Sequence, residues 1–102
     1  MDGMFSSCEN LRNIKSLENW NTSNVTDIHA LFSWCKITTL KPLQNWDTSK
    51  IKEFDSIFYF CENLNSLKGI GNWDTHNAIS MKSMFSGCRK ISDFTIVTKL
   101  NT

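Results

Sequence analysis

The strongest constraint on this chain is that it repeats itself at a period near 26. Cys8, Cys35, Cys61 and Cys88 are spaced 27, 26 and 27 residues apart, and Phe5, Phe32, Phe58 and Phe85 keep the same intervals. Trp20, Trp46 and Trp73 mark the register again, and the stretch 31–56, LFSWCKITTLKPLQNWDTSKIKEFDS, is one complete unit. A unit of this length cannot bury its own apolar face, so the copies are expected to stack and share one core. The reading is a single repeat domain over residues 1–102, with coils at roughly 1–30, 31–56 and 57–83 and a partial coil at 84–102.

Two apolar periods alternate within each unit. Ile28, Leu31, Phe32 and Cys35 stand at i, i+3, i+4 and i+7; Phe54, Ile57, Phe58 and Cys61 repeat the offsets, as do Met81, Met84, Phe85 and Cys88. That spacing predicts a helix of two or three turns. Met1, Met4, Phe5 and Cys8 fall on the same offsets. After each cysteine the period becomes three, in the rows Leu11, Ile14, Leu17, Trp20, then Ile37, Leu40, Leu43, Trp46, then Leu64, Leu67, Ile70, Trp73, and finally Ile91, Phe94, Val97, Leu100. A three-residue period predicts an extended chain bending around a coil, with a short strand pairing in parallel to the coils on either side. The expected fold class is therefore α/β, a solenoid of about three and a half coils, each a short parallel strand plus a short helix. Asn21-Thr22-Ser23, Asp47-Thr48-Ser49 and Asp74-Thr75-His76 are expected to form corners through side-chain bonds to nearby amides. Asn19, Asn45 and Asn72, each before a tryptophan, suggest a ladder of buried amides.

The units MFSSCENLRNIKSLENWNTSNVTDI and MFSGCRKISDF resemble the repeats of the BspA-like leucine-rich repeat surface proteins, whose pattern runs MFxxCxxLxxLxxIxxWDTSxVTxM. The resemblance covers essentially the whole chain. It departs from the pattern at Cys35-Lys36-Ile37, which is one residue short, at Ala78 in the column of Val25 and Ile51, and at Leu100 in the tryptophan column. It implies a leucine-rich-repeat-like α/β solenoid at the cell surface or secreted, used for adhesion or partner binding, and it supplies no catalytic residues. The opening MDGMFSSC lacks the basic and apolar regions of a signal peptide.

Composition narrows the chemistry. The formal net charge is +1, with 11 basic and 10 acidic residues, which gives no overall attraction to nucleic acid. No apolar run approaches the roughly 20 residues that cross a bilayer, so membrane insertion is not expected. The cysteines lie too far apart in sequence for the close pairs of a zinc site and read as reduced, buried apolar fillers. Calcium at the corners would draw charge only from Asp47 and Asp74, too little for a six- to eight-oxygen site. With His29 and His76 in different columns and no phosphate loop or nucleophile elbow, the chain reads as a non-enzyme without metal or cofactor.

Two surface features stand out as candidate binding residues. Lys15, Lys41 and Lys68 each precede a tryptophan by five residues and form a row suited to acidic groups of a protein or glycan. Trp34, Tyr59 and Phe60 place aromatics on the middle coils, where the outer coils carry Ser7 and Gly87. The functional expectation is a protein-protein or surface-ligand interaction module on a repeat solenoid, of adhesion type. The alternative is a passive structural spacer, or a non-functional fragment of a longer repeat array. Terminal coils with apolar residues and no cap also predict end-to-end self-association.

Overall fold

The structure is a computed structural model that describes residues 14–94 and 96. Ile28, Leu31, Phe32 and Cys35 are all buried, as their spacing requires of one apolar face. The backbone that buries them is nevertheless not an α-helix. It enters the left-handed region at Ala30 (φ 56°) and Trp34 (φ 63°), again at Ser56 (φ 58°) and Phe60 (φ 54°), and again at Ser83 (φ 54°) and Gly87 (φ 79°).

A left-handed residue at every fourth position makes alternate peptide groups face different ways. One set closes local turns: the Leu31, Ser33 and Cys35 N–H groups donate to the Ile28, Ala30 and Phe32 carbonyls at 3.1, 3.2 and 3.2 Å. The other set reaches the next coil. Ile28, Ala30, Phe32 and Trp34 donate to the carbonyls of Glu53, Asp55, Ile57 and Tyr59 at 3.1, 2.9, 2.9 and 2.7 Å. Phe54, Ser56, Phe58 and Phe60 donate in the same way to Ser80, Lys82, Met84 and Ser86 at 3.0, 2.9, 3.1 and 2.7 Å. Each left-handed non-glycine residue costs about 1–2 kcal/mol. Four inter-coil bonds per unit, each worth about 1 kcal/mol net, offset that cost together with the buried apolar column.

The rows of period three also find a different conformation. Leu17 donates to Ile14 at 2.9 Å and Trp20 to Leu17 at 3.1 Å; Leu43 donates to Leu40 at 2.9 Å and Trp46 to Leu43 at 3.1 Å. These are i→i+3 turns, three residues to the turn, so every third side chain faces inward. Two of them close into 3-10 helices at Lys15–Leu17 and Lys41–Leu43, and the two pack against each other. Between the left-handed segments and these turns lies one core, in which Phe32, Phe58 and Phe85 stack with centroids 5.9 and 5.6 Å apart.

The α/β leucine-rich-repeat-like solenoid of parallel strands and helices is therefore corrected. Among the described residues there is no β-strand and no α-helix, only the two 3-10 turns and the single parallel bridges Asp27↔Glu53 and Glu53↔Ser80. The physical reason is that the amides a strand or helix would pair regularly are divided between local turns and the neighbouring coil. The expectation of an adhesion-type module displayed on a repeat solenoid is corrected with it. With extents of 29 × 26 × 20 Å and a radius of gyration of 12.1 Å, the molecule is a compact body of turns. Among the described residues there is no sheet to present a binding face.

The coils approach closely at Gly69 (φ 115°), where a Cβ would stand 2.5 Å from the Leu40 carbonyl oxygen. Left-handed strain and a backbone clash together predict that Gly69→Ala lowers stability by about 2–4 kcal/mol in denaturant unfolding. Gly71→Ala is the matched control. Its Cβ would meet nothing nearer than Ile96 Cγ2 at 3.9 Å, so its effect stays within about 0.5 kcal/mol.

Candidate functional site

The three lysines of the candidate row are all exposed and open equivalent turns. Lys15 and Lys41 begin the two 3-10 helices. The Lys41 N–H donates to Thr39 Oγ1 and the Lys68 N–H to Ser66 Oγ, each at 3.2 Å, so a hydroxyl two residues upstream sets both turns. Acidic and neutral groups share the surface around them. Lys15 lines a depression with Ser16, Glu18 and Asn19, and Lys68 lines another with Asn65, Ser66, Leu67, Ser92, Asp93 and Ile96.

Trp34, Tyr59 and Phe60 are brought together. Trp34 and Phe60 stack with centroids 4.5 Å apart at 8°, and Tyr59 stands edge-on to Trp34 at 5.9 Å and to Phe60 at 4.6 Å. The stack ends at Gly87, where any side chain would collide with the Phe60 ring, a Cβ lying 2.6 Å from its Cγ. Phe60 thus covers the glycine of the next coil. Trp34 alone of the three remains largely in solvent, at 47% exposure. Neither lysine depression is lined by any of these three aromatics.

Coil-to-coil bonding by side chains was not legible in the apolar pattern. Trp46 Nε1 donates to the Leu17 carbonyl and Trp73 Nε1 to the Leu43 carbonyl, both at 2.9 Å. Thr22 Oγ1 donates to the Asp47 carbonyl at 3.1 Å and Thr48 Oγ1 to the Asp74 carbonyl at 3.0 Å. The thiols join in: Cys61 Sγ lies 3.0 Å from the Phe32 carbonyl and Cys88 Sγ 3.0 Å from that of Phe58. Asn19, Asn45 and Asn72, expected as a buried amide ladder, are exposed instead. The indole N–H of the neighbouring tryptophan fills that role, because its ring is already in the core and its donor must be satisfied there. The sequence signal for this was the tryptophan column itself.

At the corners, Asp47 Oδ1 accepts from the Ser49 N–H at 3.0 Å and from Ser49 Oγ at 2.6 Å, which holds its carboxyl below the usual carboxylate range. Asp74 is lowered likewise by the His76 side chain and then by the His76 backbone N–H. Asp55 is lowered first by the Ser80 hydroxyl, with the Lys82 N–H at 2.8 Å adding to it. Asp47 and Asp74 are engaged in their own turns and Asp55 in bonds to the next coil, and no group of three metal-ligating side chains occurs among the described residues. No helix among the described residues is long and apolar enough to cross a membrane.

Cys35, Cys61 and Cys88 are buried. Burial pushes the Cys61 thiol up to about 12 and the Cys88 thiol up to about 11, from an ordinary value of 9.0. Both folded values lie above the unfolded one, so the unfolded chain loses these protons first. The thiols' contribution is intact below about pH 9 and declines as pH rises toward 11 and 12. The slope is about 1.4 kcal/mol per pH unit per thiol. Unfolding free energy followed from pH 8 to about 11 should fall steeply, and Cys61→Ala with Cys88→Ala should flatten that fall while lowering stability at pH 8.

No curated protein and no solved structure matches the chain. The resemblance to BspA-like leucine-rich repeat surface proteins is corrected, since the strands and helices it implies do not form among the described residues and the sequence family that matches is a different one. With a match spanning residues 1–99, the chain belongs to the family described as Mycoplasma protein of unknown function, DUF285.

Proposed function

We propose that the chain is a passive structural element, a spacer of the kind that stacks within a longer array of like coils. The observation that supports this most is where its inward polar chemistry goes. The hydroxyls of Thr22 and Thr48, the indole N–H groups of Trp46 and Trp73 and the thiols of Cys61 and Cys88 all bond the carbonyls of a neighbouring coil. Among the described residues no buried side-chain nitrogen or oxygen is left without a partner to offer a ligand. On this reading the chain is not an enzyme, and the exposed lysines and aromatics keep it soluble and flank its core.

A spacer should depend on its fold and not on the identity of its surface. A variant carrying Lys15→Gln, Lys41→Gln and Lys68→Gln should unfold at the native temperature and fully restore whatever deficit deletion of the chain produces in its host. Phe58→Asp, which places a charge at a fully buried position, should restore nothing. A folded lysine variant that fails to restore would overturn the spacer reading.

A further inference from the structure

The three corners share one geometry, and only the first presents an amide. Asn21, Asp47 and Asp74 each accept at Oδ1 from the N–H two residues ahead, of Ser23, Ser49 and His76, at 3.1, 3.0 and 3.1 Å. The Ser23 and Ser49 hydroxyls donate to the same oxygens at 2.7 and 2.6 Å. Inside the first corner, Thr22 is buried and anchored to Asp47, its Oγ1 donating to the carbonyl at 3.1 Å and accepting from the N–H at 3.0 Å. Asn21, Asp47 and Asp74 are all exposed. Asp47 is so with a coil bonded on either side of it, so the outward aspect belongs to the corner and not to its place in the stack. A backbone N–H can meet only the oxygen of the Asn21 amide, which leaves Nδ2 as the atom turned away from the corner.

We infer that Asn21 is an acceptor for N-linked glycosylation, taking a sugar from a glycosyl diphosphate donor through a transferase. Asn21-Thr22-Ser23 has the Asn-x-Ser/Thr order that such enzymes recognise. The geometry adds what the order alone lacks. An amide nitrogen is a weak nucleophile because its lone pair is delocalised onto the carbonyl. Two donors on Oδ1 stabilise the charge that gathers on that oxygen as an Nδ2 proton leaves. In the transfer, Nδ2 attacks the anomeric carbon and a new N–C bond forms, while the bond from that carbon to the diphosphate oxygen breaks with its electron pair. The diphosphate departs as the anion, and the Nδ2 proton passes to a base of the transferase. Asn24-Val25-Thr26 has the same order without the same clasp among the described residues. There Val25 packs against the core, and the Thr26 carbonyl accepts from the Lys52 and Glu53 N–H groups at 2.8 and 3.4 Å, which ties that segment to the next coil. The inference goes beyond the spacer reading and does not rest on it.

The test incubates the folded full chain with two donors, each with its own transferase, and locates the sugar by peptide mass mapping. One arm supplies a nucleoside diphosphate hexose with a soluble N-glycosyltransferase, the other a polyprenyl diphosphate oligosaccharide with a membrane oligosaccharyltransferase. Sugar should appear on Asn21 in at least one arm, at an occupancy at least about tenfold above that of Asn24, and the arm that works identifies the donor. Asn21→Asp should abolish this transfer with the melting temperature unchanged, because Asp47 and Asp74 hold the same turn. Asn24→Asp should leave transfer to Asn21 intact. If Asn21→Asp lowers the melting temperature, the map of the native chain decides alone. No sugar on Asn21 in either arm, or a smaller preference for it over Asn24, overturns the inference. The spacer reading is untouched by either result, since it is judged by restoration of the host.

Discussion

The structure depends on the division of its peptide groups into two sets. Left-handed residues at Ala30 and Trp34, and at their counterparts in the later coils, turn every second amide along the stack and leave the rest in tight local turns. Neither set alone would hold the chain. Turns of this length are marginal by themselves, and the inter-coil bonds need the turns to place their donors in line. The coils are therefore ordered together, which suits a unit that has no core of its own.

Side chains reinforce the same direction of bonding. The tryptophan, threonine and cysteine columns each carry a donor to the carbonyl of an adjoining coil, so the buried polar atoms serve the stack. The tryptophans do so twice over, since their rings also lie against the phenylalanine stack, Trp46 by Phe32 at 6.3 Å and Trp73 by Phe58 at 6.4 Å. Aromatic packing and hydrogen bonding then fix one register, because a slip of one residue would break both at once. A body organised in this way has little inward chemistry available for a substrate. What it does present is a surface of mixed charge.

The side chains that entered the core were legible because burial follows column position. Ile28, Leu31, Phe32 and Cys35, with their counterparts at 54–61, are buried as the offsets require. The lysine row and the aromatic trio were legible as columns too, and the trio meets in space while the lysines stay spread over successive turns. The path of the backbone was not legible, because a spacing of i, i+3, i+4, i+7 suits a helix and suits equally a chain that turns left-handed at every fourth residue. The one local hint was Gly87, which stands in the column of Trp34 and Phe60 and shares their positive φ.

The sequence by itself determined the period, the columns and the composition of the core, since these follow from which residues recur at equal intervals and must find equal environments. Only the tertiary structure decided that the columns are built from turns and not from strands and helices. The reason lies in the amides. A repeat of apolar side chains says which way each residue faces but not whether its N–H bonds within the coil or across to the next. Ala30, Trp34, Ser56 and Phe60 adopt a conformation that their own side chains disfavour, and contacts 23 to 30 residues distant along the chain hold them there.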